Sequence, residues 1–152
     1  MEQSLIILKP DAVQRQLCGR VITRFEEKGI QIIGCKMMQI TKELAERHYA
    51  PHKGKPFYDP LIRYMTSGPV IVLALQANGV IAMARKLMGA TFGCDAEPGT
   101  IRGDFGGSKG FNLIHGSDSP ESAETEIKLF FEKGEVTDYS LTNEHWLYGE
   151  EE

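Results

Sequence analysis

Asn112-Leu113-Ile114-His115-Gly116-Ser117-Asp118-Ser119-Pro120 marks the passage from a last strand into a last helix. Asn112 to Ile114 reads as a short strand that ends by delivering His115. Ser119 is a natural N-cap, and Pro120 fits the first helical position, where its missing N–H loses no bond, so a helix runs on through Phe131 until Gly134 closes it. His115 therefore stands between apolar residues and small polar ones. A neutral imidazole offers one ring nitrogen as a lone-pair donor while the other holds a proton for an orienting partner. Such a group can attack phosphorus or accept a proton. A lone histidine in this setting is ordinarily a partly buried residue satisfied by a backbone carbonyl, so its neighbours must decide its role.

Outward from this segment, strands and helices alternate. Ser4 to Leu8 reads as a short buried strand, and Lys9 sits at its end because Pro10 cannot donate to a sheet ladder. Val21, Ile22 and Phe25 recur at helical spacing within Gly19 to Lys28, with Gly29 as the stop. Ile30 to Ile40 suits a second strand, and Thr41 caps a short helix running to about His48. Pro51 and Pro56 enclose a loop, Pro60 to Met65 forms a helical turn, and Ser67-Gly68-Pro69 opens a third strand, Val70 to Leu75. Asn78 is placed to cap a helix over Gly79 to Met88, which Gly89 ends. Ala90 to Phe111 follows as 22 residues with six glycines and no sustained period, the length of a functional loop. The order β-α-β-β-α-β predicts a ferredoxin-like α+β fold, an α/β sandwich with a four-stranded antiparallel sheet whose helices cover one face. Tyr139, Trp146 and Tyr148 predict a tail packed on its own domain or on a neighbour.

The 152 residues fit one domain spanning 1–152. Cys18, Cys35 and Cys94 are odd in number and lack metal-ligand spacing, which suits a reducing cytoplasm. No segment is long enough to span a membrane, and Glu2 stands where a signal peptide wants positive charge. A formal net charge of −4 argues against nucleic-acid backbone as the main partner while leaving room for a local basic pocket.

Several motifs resemble known sites without meeting their requirements. Asp104-Phe105-Gly106 lacks the H-R-D loop of protein kinases, and Gly103 to Lys109 lacks the order of a phosphate-binding P-loop. His48 and His52 stand four apart, but Pro51 breaks the helix that would align them for a metal. What remains is a set of cations and small donors flanking His115, namely Lys9, Arg85, Thr91, Arg102 and Asn112. Phosphoryl transfer spreads charge over equatorial oxygens, which arginine forks and a lysine can stabilise. Glu126 lies two turns into the last helix, from where a carboxylate can reach back to one imidazole nitrogen.

Linked motifs in these segments resemble nucleoside diphosphate kinases over essentially the whole chain. Lys9-Pro10-Asp11-Ala12-Val13-Gln14-Arg15 resembles that family's first-strand signature, Ser67-Gly68-Pro69-Val70 its central-strand entry, and Pro98-Gly99-Thr100-Ile101-Arg102-Gly103-Asp104-Phe105 its nucleotide loop. Asn112 to Ser119 matches the segment around its catalytic histidine. The resemblance implies a ping-pong kinase in which His115 takes the γ-phosphate of a nucleoside triphosphate such as ATP and passes it to a diphosphate. It implies that Glu126 orients the imidazole with Ser117 nearby, that Arg85, Thr91 and Arg102 hold phosphates, and that Tyr49 lies near the γ-phosphate. Lys9 and Asn112 would contact ribose hydroxyls and terminal phosphates, and Phe57 would stack on the base with Leu61 close by. Stacking accepts any base, so broad specificity follows. Mg²⁺ would arrive on the nucleotide rather than in a protein cage. A homo-oligomer is implied, the aromatic tail favouring a hexamer over a tetramer.

Three places depart from the family pattern. Phe92-Gly93 stands where asparagine or aspartate followed by proline is common, Lys109 replaces an apolar residue near the base, and Phe111 replaces an arginine. Glycine at 93 raises unfolded-state entropy in a loop that helps pack subunits in the family. Two other readings compete: an inactive member kept as a nucleotide- or nucleic-acid-binding scaffold, and a hydrolase using His115 as general base. The first has no physical need for all the polar residues above, and the second lacks a separate nucleophile or metal cluster.

Overall fold

The computed structural model describes residues 1–152. Four strands, β1 (Glu2–Leu8), β2 (Gln31–Met38), β3 (Val70–Ala77) and β4 (Ile114–Gly116), form one sheet in the order β2-β3-β1-β4. Every neighbouring pair is antiparallel. Helices α1 (Pro10–Gln14) and α2 (Cys18–Glu27) join β1 to β2, and α3 (Lys42–His48) and α4 (Tyr58–Met65) join β2 to β3. α5 (Val80–Met88) and α6 (Ile101–Phe105) lead into β4, and α7 (Pro120–Phe130) follows it. The expected ferredoxin-like order is present.

The sheet is covered on both faces, whereas the sequence pattern predicts cover on one. Leu5, Ile6, Ile7 and Leu8 are all fully buried. Side chains alternate across a strand, so Ile6 and Leu8 pack with Val21 and Phe25 of α2 and Val80, Ala84 and Met88 of α5. Leu5 and Ile7 pack on the other side with Ala45, Tyr49, Ile62, Met65 and Phe130. A continuous apolar run rather than an alternating one is what burial on both faces requires. Each of the four residues removes enough apolar surface from water to contribute on the order of 2 kcal/mol.

Local chemistry explains most of the boundaries. Thr41 Oγ1 accepts from Leu44 N at 3.1 Å and Ser119 Oγ from Ser122 N at 3.1 Å, so both expected caps form. Asn78 does not cap α5. Gly79, at φ 65°, occupies the cap position, and the carboxylate of Glu2 on β1 accepts from Ile81 N at 2.9 Å. Two short elements interrupt the long loop: a 3₁₀ turn at Gly93–Asp95 and α6, which Thr100 caps through Gly103 N at 3.0 Å. A five-residue helix containing a glycine leaves no period to read. The last strand runs one residue beyond His115 and begins at Ile114, because Leu113 turns into the left-handed region at φ 69°.

The tail packs against its own edge strand. A bulge between Ile32 and Gly34 breaks the β2 register, and Ile33 O accepts from Thr137 N at 2.7 Å. Tyr139 donates to Ile32 O at 2.6 Å. Trp146 remains 82% exposed.

Gly93 has a steric reason to be glycine. A Cβ there would stand 2.2 Å from Gly106 O, because the 3₁₀ turn lies directly against the end of α6. Gly93→Ala is expected to lower stability by about 1–3 kcal/mol through overpacking, and Gly93→Pro to bring no gain from reduced chain entropy. Urea unfolding at fixed protein concentration measures both. An unchanged midpoint for the alanine variant would contradict the contact.

Candidate active site

Register places His115. His115 pairs with Ile7 across the β4–β1 ladder, so its backbone is fixed by a strand with no freedom to shift. Ser117, two residues on, is held to β1 twice: its N donates to Leu5 O at 3.0 Å and its Oγ accepts from Leu5 N at 3.0 Å. The same hydroxyl donates to Glu126 Oε1 at 2.7 Å. Glu126, returned to this spot by α7, presents its other oxygen to His115 Nε2 at 2.7 Å. Burial alone would raise the Glu126 carboxyl, but the bonds from His115 and Ser117 outweigh it and hold the group below the usual carboxylate range. A charged acceptor at Nε2 fixes the ring proton there. Nδ1 has no protein partner, and the His115 side chain is 23% exposed.

Cationic side chains are fastened around the strand that carries the ring. Lys9 Nζ donates to Asn112 Oδ1 at 2.6 Å, and Asn112 Nδ2 donates to Thr91 O at 3.3 Å, linking the strand end to the long loop. Burial, then the Arg102 charge, bring the Lys9 ammonium down to about 7. Arg102 is 6% exposed and donates to three backbone carbonyls: Asn112 O at 3.1 Å, Gly89 O at 3.2 Å and Ile114 O at 2.6 Å. Its remaining N–H groups are free for an anion. Arg85 reaches Gly116 O at 3.2 Å with one nitrogen. Thr91 is exposed at the loop surface.

On the other side of His115 lies a row of rings. Tyr49 is buried with an unpartnered hydroxyl, and burial raises its pKa. His52 stacks on Tyr49 at 6.3 Å and meets Phe57 edge-on at 5.3 Å. Phe57 is 49% exposed, as a platform for a planar ligand must be, and half-buried Leu61 packs one turn further along α4. The two departures that flank the loop meet each other: Lys109 Nζ sits 5.7 Å above the Phe92 ring. Phe111 packs edge-on against Tyr64 at 5.0 Å.

Two further residues, Asp11 and His48, belong to the site without a sequence signal for the place they take in it. Asp11 accepts from Leu113 N at 3.1 Å and from the Tyr64 hydroxyl, and so holds the left-handed backbone that turns the chain into β4. His48 was compared only with His52, four residues on. Its actual neighbours are remote in sequence: its ring meets that of His115 at 4.8 Å, and its Nδ1 lies 3.6 Å from Glu126 Oε2. Burial, then His115, push it down to about 3, so it is neutral at ordinary pH. No local pattern announces such a contact.

An imidazole oriented through one nitrogen, free at the other and bordered by cations, is arranged to accept an anionic electrophile. The sequence profile of the family described as "Nucleoside diphosphate kinase" matches residues 2–136. The chain is 56% identical over 148 residues to the nucleoside diphosphate kinase of Roseiflexus castenholzii, covering 97% of this chain and 99% of that protein. Identity to the Staphylococcus epidermidis nucleoside diphosphate kinase is 51% over the same coverage. The fold matches that of a halophilic nucleoside diphosphate kinase from Halobacterium salinarum in complex with CDP, with a TM-score of 0.95 and 46% identity over 97% of this chain and 99% of that one. Likeness of this extent, spread over nearly the whole length and not confined to one motif, means that the chain belongs to the nucleoside diphosphate kinase family and transfers phosphate between nucleotides.

Proposed function

We propose that Nδ1 of His115 carries the phosphoryl group in a ping-pong exchange between a nucleoside triphosphate and a nucleoside diphosphate. The 2.7 Å contact between His115 Nε2 and Glu126 carries this reading, since it leaves Nδ1 as the nitrogen with a free lone pair. In the first half-reaction the Nδ1–P bond forms as the bond from the γ-phosphorus to the bridging oxygen breaks, and the diphosphate leaves. The ring becomes cationic, and Glu126 stabilises it. The second diphosphate then attacks the same phosphorus, and the ring returns to its neutral form. Ser117 keeps Glu126 aimed.

Lys9, Arg85 and Arg102 supply the positive charge that the transferring oxygens need, with Thr91 and Asn112 as neutral donors. Tyr49, its hydroxyl unpartnered, lies near the γ-phosphate. Phe57 stacks on the base beside Leu61, which gives broad base and sugar tolerance. Mg²⁺ enters as part of the nucleotide substrate. The pocket's side chains fit that role, because cations suit phosphate oxygens and do not build a cage for a hard metal ion. The chain acts as one domain over 1–152 in the cytoplasm, consistent with three free thiols. No helix is long and apolar enough to cross a membrane. Copies of the chain assemble into a homo-oligomer, a hexamer rather than a tetramer, in which the exposed Trp146 of the tail has a partner surface.

Incubation with γ-labelled ATP and Mg²⁺, followed by isolation, is expected to give an acid-labile labelled protein that converts an added diphosphate of another base into its triphosphate. His115→Asn is expected to form neither. A wild-type protein that binds ATP yet stays unlabelled would sink the reading. Glu126→Gln is expected to lower kcat on the order of a hundredfold or more, because an amide can donate to Nε2 and drive the proton to Nδ1. The pH profile of kcat/KM reports the free protein. Lys9 is protonated below about 7 and loses its charge as pH rises through that value, so kcat/KM is expected to fall on the alkaline side. In Lys9→Arg that limb should move well upward; a wild-type profile flat into the mildly alkaline range would contradict the assignment.

A further inference from the structure

We propose that His48, His115 and Glu126 form a site for an imidazole-preferring divalent cation such as Zn²⁺, whose binding there competes with phosphoryl transfer. Each residue offers one ligand atom, and no two of these atoms are more than 4.8 Å apart. The independent observation is the state of His48. Its side chain is 3% exposed and lies with Nδ1 3.6 Å from Glu126 Oε2, yet neither ring nitrogen has a hydrogen-bond partner. Buried polar groups are nearly always paired, and where shape alone is needed a phenyl ring serves as well. Phe130 and Tyr49 already meet this ring at 5.1 and 4.4 Å as purely packing neighbours.

The metric requirements are close to those observed. Zinc bonds of about 2.0–2.1 Å put neighbouring tetrahedral ligand atoms about 3.3 Å apart. The 2.7 Å pair of His115 and Glu126 must open slightly, and the widest pair must close by about 1.5 Å. His115 lies at the partly exposed side of the cluster, so small rotations of its ring are available, and a fourth position is left there for water. Two imidazoles and one carboxylate suit Zn²⁺, Co²⁺ or Cu²⁺, whereas Mg²⁺ demands oxygen ligands in octahedral geometry. The nucleotide's metal and this one therefore do not exchange places. Lys9 is the nearby charge that opposes a second cation.

Coordination at Nε2 moves the ring proton from Nε2 to Nδ1, since a neutral imidazole keeps one N–H, and ties Glu126 to the metal. With its lone pair taken up by that proton, Nδ1 no longer serves as the nucleophile. This competition rests on the assignment of His115 as phosphoryl carrier; metal binding does not.

The test uses the full chain, stripped of metal by chelation and titrated with Co²⁺. The expected result is one tetrahedral Co²⁺ spectrum per chain without a thiolate charge-transfer band, abolished by Zn²⁺ and unaffected by a large excess of Mg²⁺. Crystals of the unaltered protein grown with Zn²⁺ should give anomalous density between the three side chains. His48→Gln, folded by circular dichroism, should bind more than roughly tenfold more weakly. A thiolate band, anomalous density elsewhere, or wild-type affinity in folded His48→Gln would overturn the site. Labelling of the protein by γ-labelled ATP should fall in proportion to Zn²⁺ occupancy; full labelling at full occupancy would overturn the competition. A chain that binds Zn²⁺ but is never labelled speaks against the phosphohistidine reading and leaves the metal site standing.

Discussion

Ser117 joins the interior of the protein to its chemistry. Its hydroxyl lies between the Leu5 amide, at 3.0 Å, and Glu126, at 2.7 Å, and so connects the fully buried β1 strand to the carboxylate that aims His115. Hydrogen bonds made by buried groups to a charged acceptor are strong, because neither partner has water as an alternative. The orientation of the imidazole is thus inherited from the sheet. If β1 shifted relative to β4, Leu5 would leave Ser117, and Glu126 would lose its second oxygen's anchor. That interdependence ties the apolar residues Leu5 to Leu8 to the orientation of the His115 ring.

A second frame holds the opposite side of the ring. Lys9 N donates to Leu113 O at 2.8 Å while Asp11 accepts from Leu113 N at 3.1 Å, so the turn after β1 grips the left-handed residue that precedes β4. A non-glycine residue at positive φ costs on the order of 1 kcal/mol or more and persists only where its surroundings enforce it. Here the enforcement comes from the helix start that also sets Lys9 beside Asn112. The two frames meet at His115 from either side, one through its carboxylate partner and one through its backbone.

Regular elements were legible in the sequence because each carried its own local signal. The Leu5–Leu8 run, Thr41, Ser119-Pro120 and Gly29 mark their strand, caps and stop without reference to the rest of the chain. The linked motifs that resemble the family point to candidate site residues, and the structure brings His115, Ser117 and Glu126 into contact and Lys9 to Asn112. What carries no local signal depends on meetings between distant segments. The cap of α5 comes from Glu2 on another strand, the second covered face of the sheet from helices read only as connections, and the place of His48 from a fold that sets it against α7. Glycine at 93 likewise looked like a loss of loop stiffness, whereas the backbone of Gly106 leaves no room for a side chain.

Arg102 secures the long loop by donating only to backbone carbonyls, those of Gly89, Asn112 and Ile114. Every residue has a carbonyl, so this fastening is indifferent to the identity of the side chains it spans. The loop's surface can therefore drift in sequence without the loop coming adrift, which accounts for a lysine at 109 and aromatic residues at 92 and 111 in an otherwise intact frame. For engineering, the exposed side chains at 92, 109 and 111 are the parts of this loop that can be exchanged while its fastening stays in place.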